Sequence, residues 1–119
     1  MMSLKTGLAA EQQARTYLIA QGLQWVESNY RCRWGEIDLI MRENNYLVFV
    51  EVRARTSSSF GGAAASVTYS KQRKLIKTAT TYLLSKKIHD KHPARFDVLA
   101  FEGPGLEVEW VKNAFGLDF

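Results

Sequence analysis

Two neighbouring segments leave this chain few ways to fold. Gly35-Glu36-Ile37-Asp38-Leu39-Ile40-Met41 and Tyr46-Leu47-Val48-Phe49-Val50-Glu51-Val52-Arg53 are both rich in β-forming residues, and Arg42-Glu43-Asn44-Asn45 separates them. That pattern reads as two antiparallel strands joined by a tight turn. With Asn44-Asn45 at the turn, Glu43 pairs with Tyr46, Met41 with Val48, Leu39 with Val50 and Ile37 with Val52. One face then carries Ile37, Leu39, Met41, Val48, Val50 and Val52, an entirely apolar surface.

The flanking sequence supplies the cover that such a face needs. Residues 5–21 predict a helix, because Leu8, Ala9, Ala14, Leu18 and Ile19 recur at helical spacing and Gly22 is a natural stop. Gln24–Tyr30 follows as a strand, with Trp25 its inward side chain. Residues 54–68, with Ser57-Ser58-Ser59 and Gly61-Gly62, read as a loop, and its Ser57–Ala65 part as a flap that orders on nucleic acid. A second helix is expected from Thr68–Ser70, capped by either hydroxyl, to about Lys87, with Leu75, Ile76, Ala79, Tyr82 and Leu83 on one face. Arg95–Phe101 and Leu106–Lys112 close the chain as two strands around Glu102-Gly103-Pro104-Gly105. The order α-β-β-β-α-β-β describes an α/β fold, a mixed sheet flanked by helices. At 119 residues, 46% of them apolar, the chain is expected to form one domain over 1–119.

Composition narrows the setting. The apolar runs are far shorter than the roughly 20 residues of a membrane span, and residues 1–10 hold no sustained apolar stretch of the kind a signal peptide needs. Cys32 is the only cysteine, which excludes an internal disulfide and a cysteine zinc cluster and predicts a cytoplasmic protein. The net charge of +4 and pI near 9.3 are mild. Their placement is informative: acids gather around the hairpin, and lysines and arginines crowd residues 71–91. A polyanion with metal-coordinated phosphates suits such a surface.

On the hairpin's second face, Asp38 falls opposite Glu51 and Glu36 opposite Arg53. Opposed side chains stand roughly 4.5–5.5 Å apart at Cβ, and like charges there destabilise a sheet. Either a neighbouring lysine or arginine neutralises the pair, or a divalent cation binds between the carboxylates. Hard oxygen donors of this kind suit Mg²⁺ or Mn²⁺ better than zinc. A four-residue loop over 42–45 would set Glu36 opposite Glu51 and keep all three acids on one face; a three-residue loop would separate them. The plain alternative is an exposed acidic face paired with Arg53 and Arg55.

Gly35-Glu36-Ile37-Asp38-Leu39-Ile40 followed by Val48-Phe49-Val50-Glu51-Val52-Arg53 resembles the YraN family of bacterial nuclease-like proteins, a branch of the PD-(D/E)XK or restriction-endonuclease-like superfamily close to the Holliday-junction resolvases. The resemblance extends to Gly7-x-x-x-Glu11, Gly62, Val67, Lys71 and Arg95-Phe96-Asp97-Val98, and so spans nearly the whole chain. It implies a restriction-endonuclease-like fold, Mg²⁺ or Mn²⁺ as cofactor, and nucleic acid, DNA in preference to RNA, as partner. It also implies Asp38 as central metal ligand, Glu51 as its partner carboxylate, Glu36 beside them, and Glu11 reaching in from the first helix. The superfamily motif ends in lysine where this chain has Arg53. Arginine keeps its proton and is a poor base, although it can stabilise charge on a phosphorane. Lys71 is the nearest substitute.

Other residues have a plain reading beside the functional one. Lys71, Arg73, Lys74 and Lys77 sit where a helix dipole disfavours cations; they read equally as a solvated face and, with Arg55, as phosphate contacts. Trp34 reads first as a rim or packing residue and second as a base-stacking surface. His89 and His92 read as surface residues, and Asp97 as either a group supporting the site from behind its ligands or a satisfied polar residue, and not as a ligand itself. Three functions follow: a metal-dependent nuclease on DNA, branched or single-stranded; a nucleic-acid-binding module without turnover; and a protein-interaction or assembly factor. A homodimer is compatible with the first, because resolvase-like enzymes dimerise to cut two strands, but no residue marks a dimer face.

Overall fold

A computed structural model describes residues 3–55, 62–87, 93–102 and 107–116 of the chain. Its elements are α1 (Ser3–Ala20), β1 (Gln24–Cys32), β2 (Gly35–Glu43), β3 (Tyr46–Arg55), α2 (Gly62–Ala65), α3 (Tyr69–Ser85), β4 (Ala94–Glu102) and β5 (Glu107–Phe115). The five strands form one sheet in the order β1-β2-β3-β4-β5. Only β3 and β4 run parallel, and α2 and α3 make the connection between them. The element order is the expected one, with one addition: residues 62–65, read from sequence as loop, form a single helical turn. The Ala63 amide of that turn donates to Glu109 Oε1 of β5 at 3.0 Å, a distant partner that composition cannot signal.

The hairpin pairs as its alternation predicts. Glu43 faces Tyr46, Met41 faces Val48 and Leu39 faces Val50. Asn44 takes the left-handed conformation (φ 54°) that a two-residue turn needs and asparagine tolerates. Leu39, Met41, Val48 and Val50 pack against Ala10, Ala14 and Leu18 of α1. Ile40, Leu47 and Phe49 pack against Leu75, Ala79, Tyr82 and Leu83 of α3. Both faces of the sheet are therefore buried, one under each long helix, as a sheet with a parallel crossover requires.

Helix ends follow local chemistry. At the C-terminus of α1, the Leu23 amide donates to the Leu18 carbonyl and the Gly22 amide to that of Ile19, both at 3.0 Å, with Gly22 at φ 102°. This is the Schellman arrangement, and Leu23 packs in the same cluster as Leu18. At the N-terminus of α3, Thr68 Oγ1 accepts the Lys71 amide at 3.2 Å, as expected of a capping hydroxyl.

Three packing expectations are corrected. Trp25 points outward, 45% exposed, with the Arg15 guanidinium 4.5 Å from its ring. A bulge between Trp25 and Glu27 shifts the register of this edge strand, and Val26 and Tyr30 pack inward instead. Ala9 and Ile19 are exposed, because the buried stripe of α1 runs through Ala10, Ala14 and Leu18. Ile37 packs on the α3 side, opposite to Leu39, for a reason that lies in the candidate site. The expected flap residues 56–61, His89, His92 and the turn at 103–105 lie outside the described residues.

Candidate metal and phosphate site

The ladder between β2 and β3 runs from Glu43–Tyr46 to Leu39–Val50. Where Ile37 would next face Val52, the Asp38 side chain intervenes: its Oδ2 accepts the Val52 amide at 2.8 Å. A carboxylate has replaced a strand carbonyl as acceptor, and β2 diverges from β3 beyond that point. On its other edge β2 remains paired, Ser28 with Leu39 and Tyr30 with Ile37, so that Asn29 of β1 faces Asp38. Asn29 is at φ 56°, a kink inside a strand. The kink and the opened ladder together break the alternation at Asp38, which is why Ile37 and Leu39 serve opposite faces.

Acids from three elements meet at this notch. Glu51, on β3, is buried near Asp38. Glu11, from α1, stands near Asn29 and Asp38. Glu36 stands beside them at longer range, 38% exposed, its carboxylate 3.6 Å from Arg31. Burial, and then the charge of Asp38, push the Glu51 carboxyl up to about 7. Burial also raises Asp38, against the pull of the Val52 amide, and raises Glu11. Both carboxyls are raised, first of all by burial, so the pair keeps a proton more readily than two free carboxylates would.

Two cations reach the same carboxyl. Arg53 Nε lies 3.4 Å and Lys71 Nζ 3.6 Å from Glu51 Oε2. Glu51 and Arg53 are two residues apart on β3 and so project together. Arg53 Nε is buried with no hydrogen-bond partner of acceptable geometry among the described residues, so its contact with Glu51 is one of charge alone. Lys71 belongs to the first turn of α3, which contains no acid, and Glu51 offsets the repulsion that a cation meets at that helix end.

The structure thus brings together Glu11, Asp38, Glu51, Arg53 and Lys71, with Glu36 at the margin. It sets Arg73 aside, on the Tyr69 hydroxyl at 3.3 Å, and leaves Lys74 exposed one turn beyond Lys71. The Arg55 side chain lies outside the described part. Asp97 is fully buried elsewhere, held by Arg95, the Trp110 indole N–H and the Asn113 amide. Asn29 was missed in the sequence reading, and its signal was slight: one turn-favouring residue inside a strand. A cleft of about 190 Å³, lined by Glu11, Gln12, Arg15, Ser28 and Asn29, opens beside it.

Among the described residues no group of three or more His, Cys, Asp or Glu side chains is arranged to hold a metal ion. The donor chemistry nevertheless fits Mg²⁺ or Mn²⁺. Such ions are bound through one or two carboxylates, with waters and substrate phosphate oxygens completing the shell. Two neighbouring carboxyls, each raised by burial, are a place where a dication relieves the electrostatic cost.

Comparison with known proteins places the chain among relatives of the same length. The family model described as "Uncharacterised protein family UPF0102" matches residues 10–101. A UPF0102 protein of Legionella pneumophila is 52% identical over 114 residues, covering 96% of this chain and 97% of that protein. One from Nitrosomonas europaea is 53% identical over 110 residues, 92% of each chain. One from Aeromonas hydrophila is 55% identical over 106 residues, 88% of this chain and 80% of that protein.

Proposed function

We propose that this chain, which belongs to the UPF0102 (YraN) family, is a divalent-metal-dependent nuclease that hydrolyses phosphodiester bonds in DNA. The observation that carries the reading is the Asp38–Glu51 pair: a half-buried and a buried carboxyl side by side at an opened strand junction, with Glu51 raised to about 7 and two cations on it. A structural role alone gives little reason to keep like-charged acids in a buried notch.

Each residue has a task that its position permits. The Val52 amide holds the Asp38 carboxylate in one orientation, and Asp38 with Glu51 would hold Mg²⁺ or Mn²⁺, with Glu11 reaching the same notch from α1. When bound, the ion would supply Lewis acidity, giving a more acidic water and a polarised phosphate. Lys71 reaches Glu51 from a helix rather than from β3, and we assign it the part that the superfamily's lysine plays. Its ammonium, with the Arg53 guanidinium, would stabilise negative charge growing on the phosphate. Among the described residues no helix is long and apolar enough to cross a membrane.

Calorimetric titration of Mn²⁺ into the wild type and Asp38→Ala tests the site, followed by cleavage of branched and single-stranded DNA. Saturable binding and cleavage, both lost in the variant, are expected. Absence of both from a folded wild-type protein would reject the nuclease. Arg53 in place of lysine favours a second reading, a nucleic-acid-binding module without turnover, for which DNA binding would persist without cleavage.

A further inference from the structure

The turn between β1 and β2 carries Arg33-Trp34-Gly35, and it is seated on α3. The Trp34 amide donates to Cys32 Sγ at 3.4 Å. Gly35, at φ 150°, approaches α3 so closely that a Cβ there would stand 3.3 Å from Thr78 Oγ1. Thr78 is itself fully buried, its hydroxyl donating to the Lys74 carbonyl at 2.8 Å. The turn is thereby held one residue from Lys77.

Trp34 is outside both core clusters and is 39% exposed. Lys77 Nζ lies 4.7 Å and the Arg33 guanidinium 4.5 Å from its ring centroid. The other tryptophans are anchored differently, Trp25 through its indole N–H to Ser28 and Trp110 to Asp97. Along α3 the lysines at 77, 74 and 71 recur every three residues, and the last touches Glu51. At 1.5 Å per residue, Lys77 to Lys71 spans about 9 Å, roughly three stacked nucleotide rises of 3.4 Å.

We propose that Trp34 is a stacking platform for an unpaired nucleobase, at the far end of a lysine track leading to the Asp38–Glu51 pair. This rests on the nuclease reading for the role of that pair, and it names the substrate class: single-stranded or locally unpaired nucleic acid. Lysines alone would hold any polyanion. An indole adds a flat apolar surface that only a base with a free face can cover, and bases inside a duplex stack have none to offer. Exposed cation–π contacts are weaker than base stacking, so Arg33 can leave the ring for a phosphate when a base arrives.

The test is fluorescence anisotropy in EDTA with labelled single-stranded DNA, single-stranded RNA and blunt duplex DNA of equal length. Wild type should prefer the single strands, and the DNA and RNA arms identify the sugar. Trp34→Ala should weaken single-strand binding by about ten-fold and leave duplex binding unchanged. Trp34→Phe should retain most of the affinity, and Trp34→Leu, which keeps apolar volume without a π face, should not. Equal losses on single strand and duplex, no loss at all, or no single-strand preference in the wild type would overturn the platform. Cleavage with Mg²⁺ is scored separately. If Asp38-dependent cleavage occurs but Trp34 is irrelevant to strand preference, the platform falls and the nuclease stands. If Trp34 sets the preference and nothing is cleaved, the reverse holds.

Discussion

Glu51 answers to three neighbours at once: a second carboxyl that repels it, and a lysine and an arginine that attract it. Burial outweighs the cations, and the folded protein holds a proton that the unfolded chain would release near 4.5. A carboxyl raised on folding stabilises fully below its unfolded value, and that contribution is lost as pH climbs through the folded one. Asp38 and Glu11 shift in the same direction. Glu43, lowered by its hydrogen bond to Arg95, contributes in the opposite sense and only in more acid solution. The metal-free protein should therefore melt at a higher temperature at pH 5.5 than at pH 8. Glu51→Gln should flatten the difference by several degrees, since about 1 kcal/mol moves the midpoint of such a domain by roughly 4 °C. Thermal melts of both proteins in EDTA decide this, and a wild type that gains stability toward pH 8 would contradict it.

Individual elements are joined by polar contacts as well as by their apolar stripes. Asp97 of β4 is fully buried and accepts from Arg95 Nε at 2.9 Å, Trp110 Nε1 at 2.9 Å and the Asn113 amide at 2.9 Å. Arg95 continues to Glu43 at 2.8 Å, near the turn of the β2–β3 hairpin. One carboxylate thus clasps β5 to β4, and its cation clasps β4 to the hairpin. Asp97→Ala would leave these donors, including a half-buried guanidinium, without their acceptor, a loss of about 3–5 kcal/mol. Urea denaturation should show that loss, whereas Mn²⁺ affinity of the refolded variant should stay at the wild-type value. An equal fall in metal affinity would make Asp97 part of the site rather than of the clasp.

Across the whole molecule, opposite charges are sorted around one notch. Helix α1 brings Glu11, β2 and β3 bring Asp38 and Glu51, and α3 brings its lysines. The +4 net charge is small, so on the proposed function it is the arrangement of charge that supplies the attraction for nucleic acid. Each phosphate neutralised on a single strand contributes about −0.7 to the slope of log K against log salt. Lys74→Ala with Lys77→Ala should make that slope shallower by about 1.4 on single-stranded DNA. An unchanged slope in a salt titration would remove α3 from the binding surface.

The sequence alone determined what depends on neighbours along the chain. Alternation over Gly35–Met41 and Tyr46–Arg53, with asparagines between, specified the hairpin register, because a slip of one residue would turn every apolar side chain to the wrong face. Helical spacing through Ala14 and Leu18, and through Leu75, Ala79 and Leu83, specified what covers each side. The opposition of Asp38 and Glu51 followed from the same register. What only the tertiary structure decided is how that opposition is housed. The Asp38 carboxylate takes the Val52 amide and parts β2 from β3, a competition between side chain and backbone that periodicity does not record. The parting sends Ile37 to the α3 side, meets the kink at Asn29, and admits Glu11 from a helix 27 positions earlier than Asp38. The edge bulge that turned Trp25 outward is likewise a matter of pairing between strands, and so is the seat on α3 that places Trp34 beside Lys77. Local patterns carry no term for such distant contacts, and distant contacts are what make the notch a site.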